Sequence, residues 1–177
     1  MILSVISLWL GLFFGSSGVY DFSFVTIEGQ TKNMSAYQGK KILIITLPTQ
    51  QSSGGDSLLF SLDTLARNNN NLLQVLAVPS IEDGFNTGNK DELRQWYRSR
   101  LGSDVVILDG IYTRKLSGFN QHGLFRWLTH ESENEHFDLD ANEPGSKFFI
   151  SPSGELYGVL SPATRIWGLS VQKTIRH

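Results

Sequence analysis

Apolar and polar positions fall into blocks along the chain, and the period changes from block to block. Residues 20–27 (YDFSFVTI) alternate apolar and polar side chains, the period of a half-buried strand. Glu28, Gly29 and Gln30 then read as a turn. Residues 41–47 (KILIITL) form a short apolar run rich in β-branched side chains. That run predicts a central strand buried on both faces. Leu58, Leu59, Leu62, Leu65 and Ala66 recur at helical spacing and predict a helix over residues 53–68. A run of asparagines at 68–71 breaks the pattern, and residues 72–78 (LLQVLAV) predict a second buried strand that Pro79 ends.

The second half continues the alternation. Asn89 reads as an N-cap, with Glu92 three residues on as in a capping box. Leu93, Trp96, Tyr97, Arg100 and Leu101 then share one helical face. Residues 104–108 (DVVIL) predict a strand, and 121–130 a short helix with Leu124, Phe125 and Leu128 inward. Residues 147–151 and 155–160 flank Pro152, Ser153 and Gly154, the signature of a hairpin. From residue 163 onward a last helix is predicted, with Ile166, Leu169 and Ile175 on one face. An N-terminal hairpin, β-α-β, α, β, α, then a hairpin and a final helix is an α/β order. It predicts a thioredoxin-like mixed central sheet with helices on both faces.

The N-terminus stands apart. Residues 1–14 (MILSVISLWLGLFF) carry no charge and are mostly apolar, and Gly15, Ser16, Ser17 and Gly18 follow. Small residues at Ser16 and Gly18 suit a peptidase that cuts before Val19. Residues 1–18 are therefore expected to be a signal peptide and 19–177 one domain, exported to a periplasm or the outside. No Lys or Arg precedes the apolar stretch. If the stretch is retained instead, it is short of the roughly 20 residues of a comfortable span and acts as an N-terminal anchor. Only in that case is a membrane contact expected.

Composition narrows the chemistry. Hydrophobic residues at 40% and aromatics at 11% suffice for a real core. A net charge of −2, with Lys and Arg scattered, leaves no basic face for nucleic acid. There is no cysteine. Disulfides, Cys-bound zinc, iron–sulfur clusters and CxxC redox chemistry are thereby excluded. No cofactor is expected.

Four segments in order resemble the glutathione peroxidase family. They are "VYDFSF…EGQ…MSAYQGKKILIITLPT", "LLQVLAVPSIEDGF", "FNQHGLFRWLT" and "SKFFISPSGELYGVLSPAT". The third is similar to the family's N-x-HPL helix start, with Gly123 where proline is usual. The resemblance covers Val19 to about Ile175 and implies a glutathione peroxidase-like thioredoxin fold. It does not imply the chemistry. Family members carry Cys or selenocysteine where the first long helix begins, since a helix N-terminus favours the thiolate that attacks peroxide. Counted from Gly39 and Lys40, that position is Gln51. The family's Gln falls at Glu82, and its Trp and Asn at Glu143 and Pro144. No catalytic residue is expected at these positions, and a peroxidase-inactive relative is the implied reading.

What remains is a polar cleft, Gln50, Gln51, Ser52 and Ser53 facing Glu82, expected to bind an unknown protein or small-molecule ligand. An alternative is a metal- or acid/base-dependent enzyme using Glu82, Asp83, Glu143 or the acids near His136. Residues 130–140 (HESENEHFDLD) hold two His and several acids, but match neither HExxH nor an EF-hand loop. They read better as a charged exposed connection. Ser170 and Lys173 match SxxK without its partner motifs. Asn33, Met34 and Ser35 form a glycosylation sequon.

Overall fold

A computed structural model describes residues 18–176. The apolar segment 1–14 and most of the expected cleavage region lie outside the described residues. Seven strands and five helices follow in order. They are β1 (Ser23–Val25), β2 (Thr31–Asn33), β3 (Lys41–Leu47), α1 (Ser53–Asn69), β4 (Leu73–Pro79), α2 (Lys90–Arg100), β5 (Val105–Ile107), α3 (Gly123–Thr129), α4 (Glu131–Asn134), β6 (Lys147–Ile150), β7 (Leu156–Leu160) and α5 (Leu169–Arg176).

The central sheet runs β5-β4-β3-β6-β7. β3 and β4 pair parallel over their full length, Lys41 opposite Leu73 through Leu47 opposite Pro79. β4 and β5 are also parallel, while β6 and β7 return antiparallel. β3 lies in the middle, so its apolar run is buried on both faces. Its two faces feed two cores. Leu43, Ile45 and Leu47 join Val75, Ala77 and Phe149 in a core with α1, α2 and α5. Ile42 and Ile44 join Leu76, Val78, Phe148 and Ile150 in a second core with α3 and the N-terminal segment. The period-two geometry of a strand divides one continuous apolar run between two layers of helix.

β1 and β2 form the separate N-terminal hairpin, with Phe24 opposite Lys32. Its turn uses Gly29 at φ +84°, backbone that favours glycine. Past β1 the chain docks on the flank of β5, where Ile27 N–H donates to Ile107 O at 2.9 Å and Asp109 N–H to Val25 O at 2.8 Å. The rest of that flank is held by Arg98, which donates to Val105 O at 3.1 Å and pairs with Glu28 at 2.7 Å.

Three expectations shift in detail. The strand predicted over 20–27 shrinks to Ser23–Val25, because residues 19–21 wind into a single 3-10 turn. The last helix starts at Leu169 rather than near 163. Asn89 precedes α2, but no capping box forms. Its side chain accepts from Asn86 N–H at 2.9 Å and donates to Gly84 O at 2.8 Å, which fixes the preceding loop instead. No helix among the described residues is long and apolar enough to cross a membrane.

Candidate functional site

The C-terminal ends of β3 and β4 meet the loop before β6, as ligand sites do in open α/β sheets. Side chains from several elements converge there. Thr46, near the end of β3, donates to Glu143 O at 2.9 Å and accepts from Ser146 N–H at 3.0 Å. Thr49, just beyond β3, donates to the backbone carbonyl of Asp83. The Tyr97 hydroxyl on α2 donates to Pro48 O at 2.7 Å. Arg114 closes the group by pairing with the Asp83 carboxylate.

Asp83 is mostly buried, and that burial raises its carboxyl above the usual range. Arg114 opposes the rise, whereas the charges of Glu82 and Glu143 add to it. Burial likewise raises Tyr97, and the nearby Asp83 charge reinforces the effect. The group is thus a half-buried ion pair within reach of a second acid and a phenol. It holds and orients charge, and it contains no thiol.

Glu82 behaves differently from its neighbour. Its carboxylate turns to the segment after β5 and accepts from four groups there and at β4. These are Ser80 Oγ at 2.5 Å, Ser117 Oγ at 2.6 Å, Arg114 N–H at 2.9 Å and Thr113 N–H at 3.0 Å. Burial raises this carboxyl, but the hydroxyl and backbone donors outweigh it and hold it down at about 2. A partly buried carboxylate needs donors, and it finds them away from the 50–53 segment. Between the loop after β3 and the loop after β4, Thr49 contacts Asp83.

Gln50 and Gln51 are exposed in the loop before α1. Gln51 Nε2 reaches Glu92 on α2 at 3.4 Å, a long hydrogen bond. Ser52 is the N-cap of α1 and accepts from Gly55 N–H at 3.0 Å; Ser53 opens the helix. The first turn of α1 is locked to α2. Asp56 accepts from Trp96 Nε1 at 2.8 Å and from Arg100 at 3.1 Å, and a Cβ on Gly55 would touch the Trp96 ring. Glu143 is exposed and Pro144 half-buried; the loop enters β6 through Gly145 at φ +93°.

Two clefts share Pro162 in their linings. The larger, about 600 Å³, separates α1 from residues 162–167 and is lined by Ser57, Leu58, Ser61, Pro162, Arg165 and Trp167 among others. The smaller, about 320 Å³, is lined by Leu139, Glu143, Ser146, Leu160, Ser161 and Pro162 among others.

Three of the acids of residues 130–140 serve the fold. Asp138 pairs with Lys115 at 2.6 Å, Asp140 accepts from Lys115 N–H and Ala141 N–H, and Glu133 pairs with Arg126 at 2.5 Å. His122 caps α3, accepting from Leu124 N–H at 3.3 Å. Among the described residues no three His, Asp or Glu side chains group as a metal would require. Arg114 and Thr49 escaped the sequence reading, and Tyr97 was legible there only as a packing residue. No local pattern marks Arg114, whose partner lies 31 positions away.

The comparisons with known proteins agree with this architecture. A probable phospholipid hydroperoxide glutathione peroxidase of Solanum lycopersicum is 25% identical over 147 residues, covering 82% of this chain and 85% of that one. A probable glutathione peroxidase 2 of Arabidopsis thaliana is 26% identical over 149 residues, again 82% and 85%. The crystal structure of Trgpx in apo form superposes with a TM-score of 0.65 at 16% identity, covering 90% of this chain and 94% of that one. No protein-family model matches the chain. Fold and topology make this a thioredoxin-like α/β protein of the glutathione peroxidase type. Within that class it is similar, at about a quarter identity, to curated plant glutathione peroxidases, and it contains no cysteine.

Proposed function

We propose that this protein is a binding or scaffold module on a glutathione peroxidase-like fold, without thiol peroxidase activity. The observation that carries the reading is the absence of any cysteine. Gln51 stands before the N-cap of α1, where the resemblance puts the nucleophile, and an amide does not attack a peroxide. Its own side-chain contact is with Glu92 on α2. The binding site is the cleft between α1 and residues 162–167. Its serine hydroxyls, the exposed Arg165 and the half-exposed Trp167 indole suit a polar ligand with a flat or apolar part.

The purified protein is assayed with hydroperoxide and either glutathione or thioredoxin. No turnover above the uncatalysed background is expected, and turnover at even a small fraction of a true peroxidase overturns the reading. Export belongs to the same proposal and rests on the sequence of residues 1–18. N-terminal sequencing of the mature protein tests it, since cleavage leaves Val19 first and retention leaves the anchor.

A second reading, a non-thiol acid/base enzyme, has one observation in its favour. Asp83 is raised by burial beside Arg114 and Tyr97, the condition of a carboxyl tuned toward proton transfer. Direct titration of the Asp83 carboxyl by NMR tests it. A value within the ordinary carboxylate range removes this support.

A further inference from the structure

Lys147 opens β6 and is fully buried. Its ammonium has no carboxylate partner among the described residues. All three of its acceptors are backbone carbonyls: Gly145 O at 2.6 Å, Ser161 O at 3.2 Å and Pro162 O at 3.5 Å. Gly145 lies just before β6, and Ser161 and Pro162 lie just after β7. One side chain therefore ties the start of a strand to the end of its hairpin partner.

Two of those three residues, Ser161 and Pro162, line the clefts. Pro162 lines both cavities, and Ser161 and Ser146 line the smaller. The turn at 161–162 is the partition between them. A buried ammonium without a counter-charge is costly, and a methionine fills similar space without that cost. What the lysine adds is three directed donors aimed at carbonyls that have few other partners.

We propose that Lys147 is a positioning residue whose three carbonyl hydrogen bonds clasp the 161–162 partition to residue 145 and so fix the shape of both clefts. The clasp stands on these contacts whether or not the clefts bind a ligand. A failed ligand search therefore leaves it in place.

The buried charge gives the clasp a second signature. Burial pushes the Lys147 amine down to about 8, against roughly 10.4 in an unfolded chain. Between those values the unfolded state holds more protons than the folded one, so folding stability rises with pH across the window. The groups around it do not mimic this. On the flanking strands Lys147 faces Ile45 and Leu160. Glu143 and Asp140 line the smaller cleft and Arg165 the larger, and none of them pairs with the amine. Burial raises Tyr20, Tyr37, Tyr97 and Tyr157. These phenols therefore deprotonate first in the unfolded chain and oppose the lysine as the pH nears about 10. The difference between wild type and variant isolates the amine.

The test is amide hydrogen exchange on the full-length protein, wild type and Lys147→Met, with denaturant stability followed from about pH 8 to 9.5. In Lys147→Met the Ser146 and Thr164 amides, whose bonds to Thr46 and Ser161 rest on these loops, are expected to exchange about tenfold faster. Amides of the β3–β4 ladder stay as protected as in wild type. Stability of the wild type relative to the variant rises over the pH window. Unchanged exchange at Ser146 and Thr164 in the variant overturns the clasp, as does a stability difference between wild type and variant that stays flat or falls with pH. Should Lys147→Met not accumulate as folded protein, Lys147→Gln is measured in its place, with the same exchange outcomes at Ser146 and Thr164 deciding.

Discussion

The carboxylate of Glu82 accepts the backbone N–H of Arg114 at 2.9 Å, and the guanidinium of that same Arg114 pairs with Asp83, the residue next to Glu82. Two adjacent acids thus hold one arginine from both ends. Glu82 fixes its main chain, and Asp83 fixes its side chain. The segment after β5 is pinned against the end of β4 by this double hold.

The Glu82 half predicts an acid dependence. Its folded value of about 2 lies below the unfolded carboxyl range. Its contribution is therefore complete above about pH 4.5 and is lost as the pH falls toward 2. Glu82→Gln puts an amide against backbone N–H donors and costs about 2 kcal/mol at pH 7. Denaturation curves from pH 7 to 2 should show the gap between wild type and variant closing on the acid side. Asp83, being raised, works in the opposite direction, so the difference between the two proteins is the quantity to follow.

The Asp83 half predicts coupling. Arg114→Met leaves a mostly buried carboxylate without its partner and costs about 2–3 kcal/mol. Asp83→Asn combined with Arg114→Met should cost less than the sum of the single changes. A double-mutant cycle measured by urea denaturation checks this, and strict additivity contradicts the pairing.

Gly110 predicts a steric failure. A Cβ built there overlaps Cδ1 on the ring of Phe85, a buried core residue. Gly110→Ala must therefore displace Phe85, at a cost of about 2 kcal/mol or more. Gly88→Ala meets only the Asn86 side chain at 3.0 Å and serves as the mild comparison. Thermal denaturation of the two variants separates them.

Much of the fold was legible because two signals are local. The β-branched run at 41–47 and the leucine spacing of 58–66 each depend on side chains within one element. β3 and α1 accordingly fall at the expected residues, α1 ending one residue later than predicted. Where a side chain chose between local and distant partners, the sequence did not decide. Asn89 has the chemistry of an N-cap, but Asn86 N–H and Gly84 O claim its side chain. The 163–168 stretch shares apolar positions with α5, yet it turns at residues 161–164 and again at 165–168 before the helix begins. At the site, Glu82 was legible as an acid in the right loop. That four donors would hold its carboxylate was not, because those donors belong mostly to residues 113–117.

The Arg98 contact on the β5 flank bears on assembly. A sheet grows, whether into an oligomer or a fibril, by offering main-chain carbonyls to an incoming strand. On this flank the carbonyls of Val105 and Ile107 are already engaged, one by a guanidinium and the other by the chain's own hairpin. A strand arriving there has to displace Arg98 from Glu28 before it gains its first hydrogen bond. The same arginine that lines the shallow groove beside β5 therefore acts as a stopper against self-association at that edge.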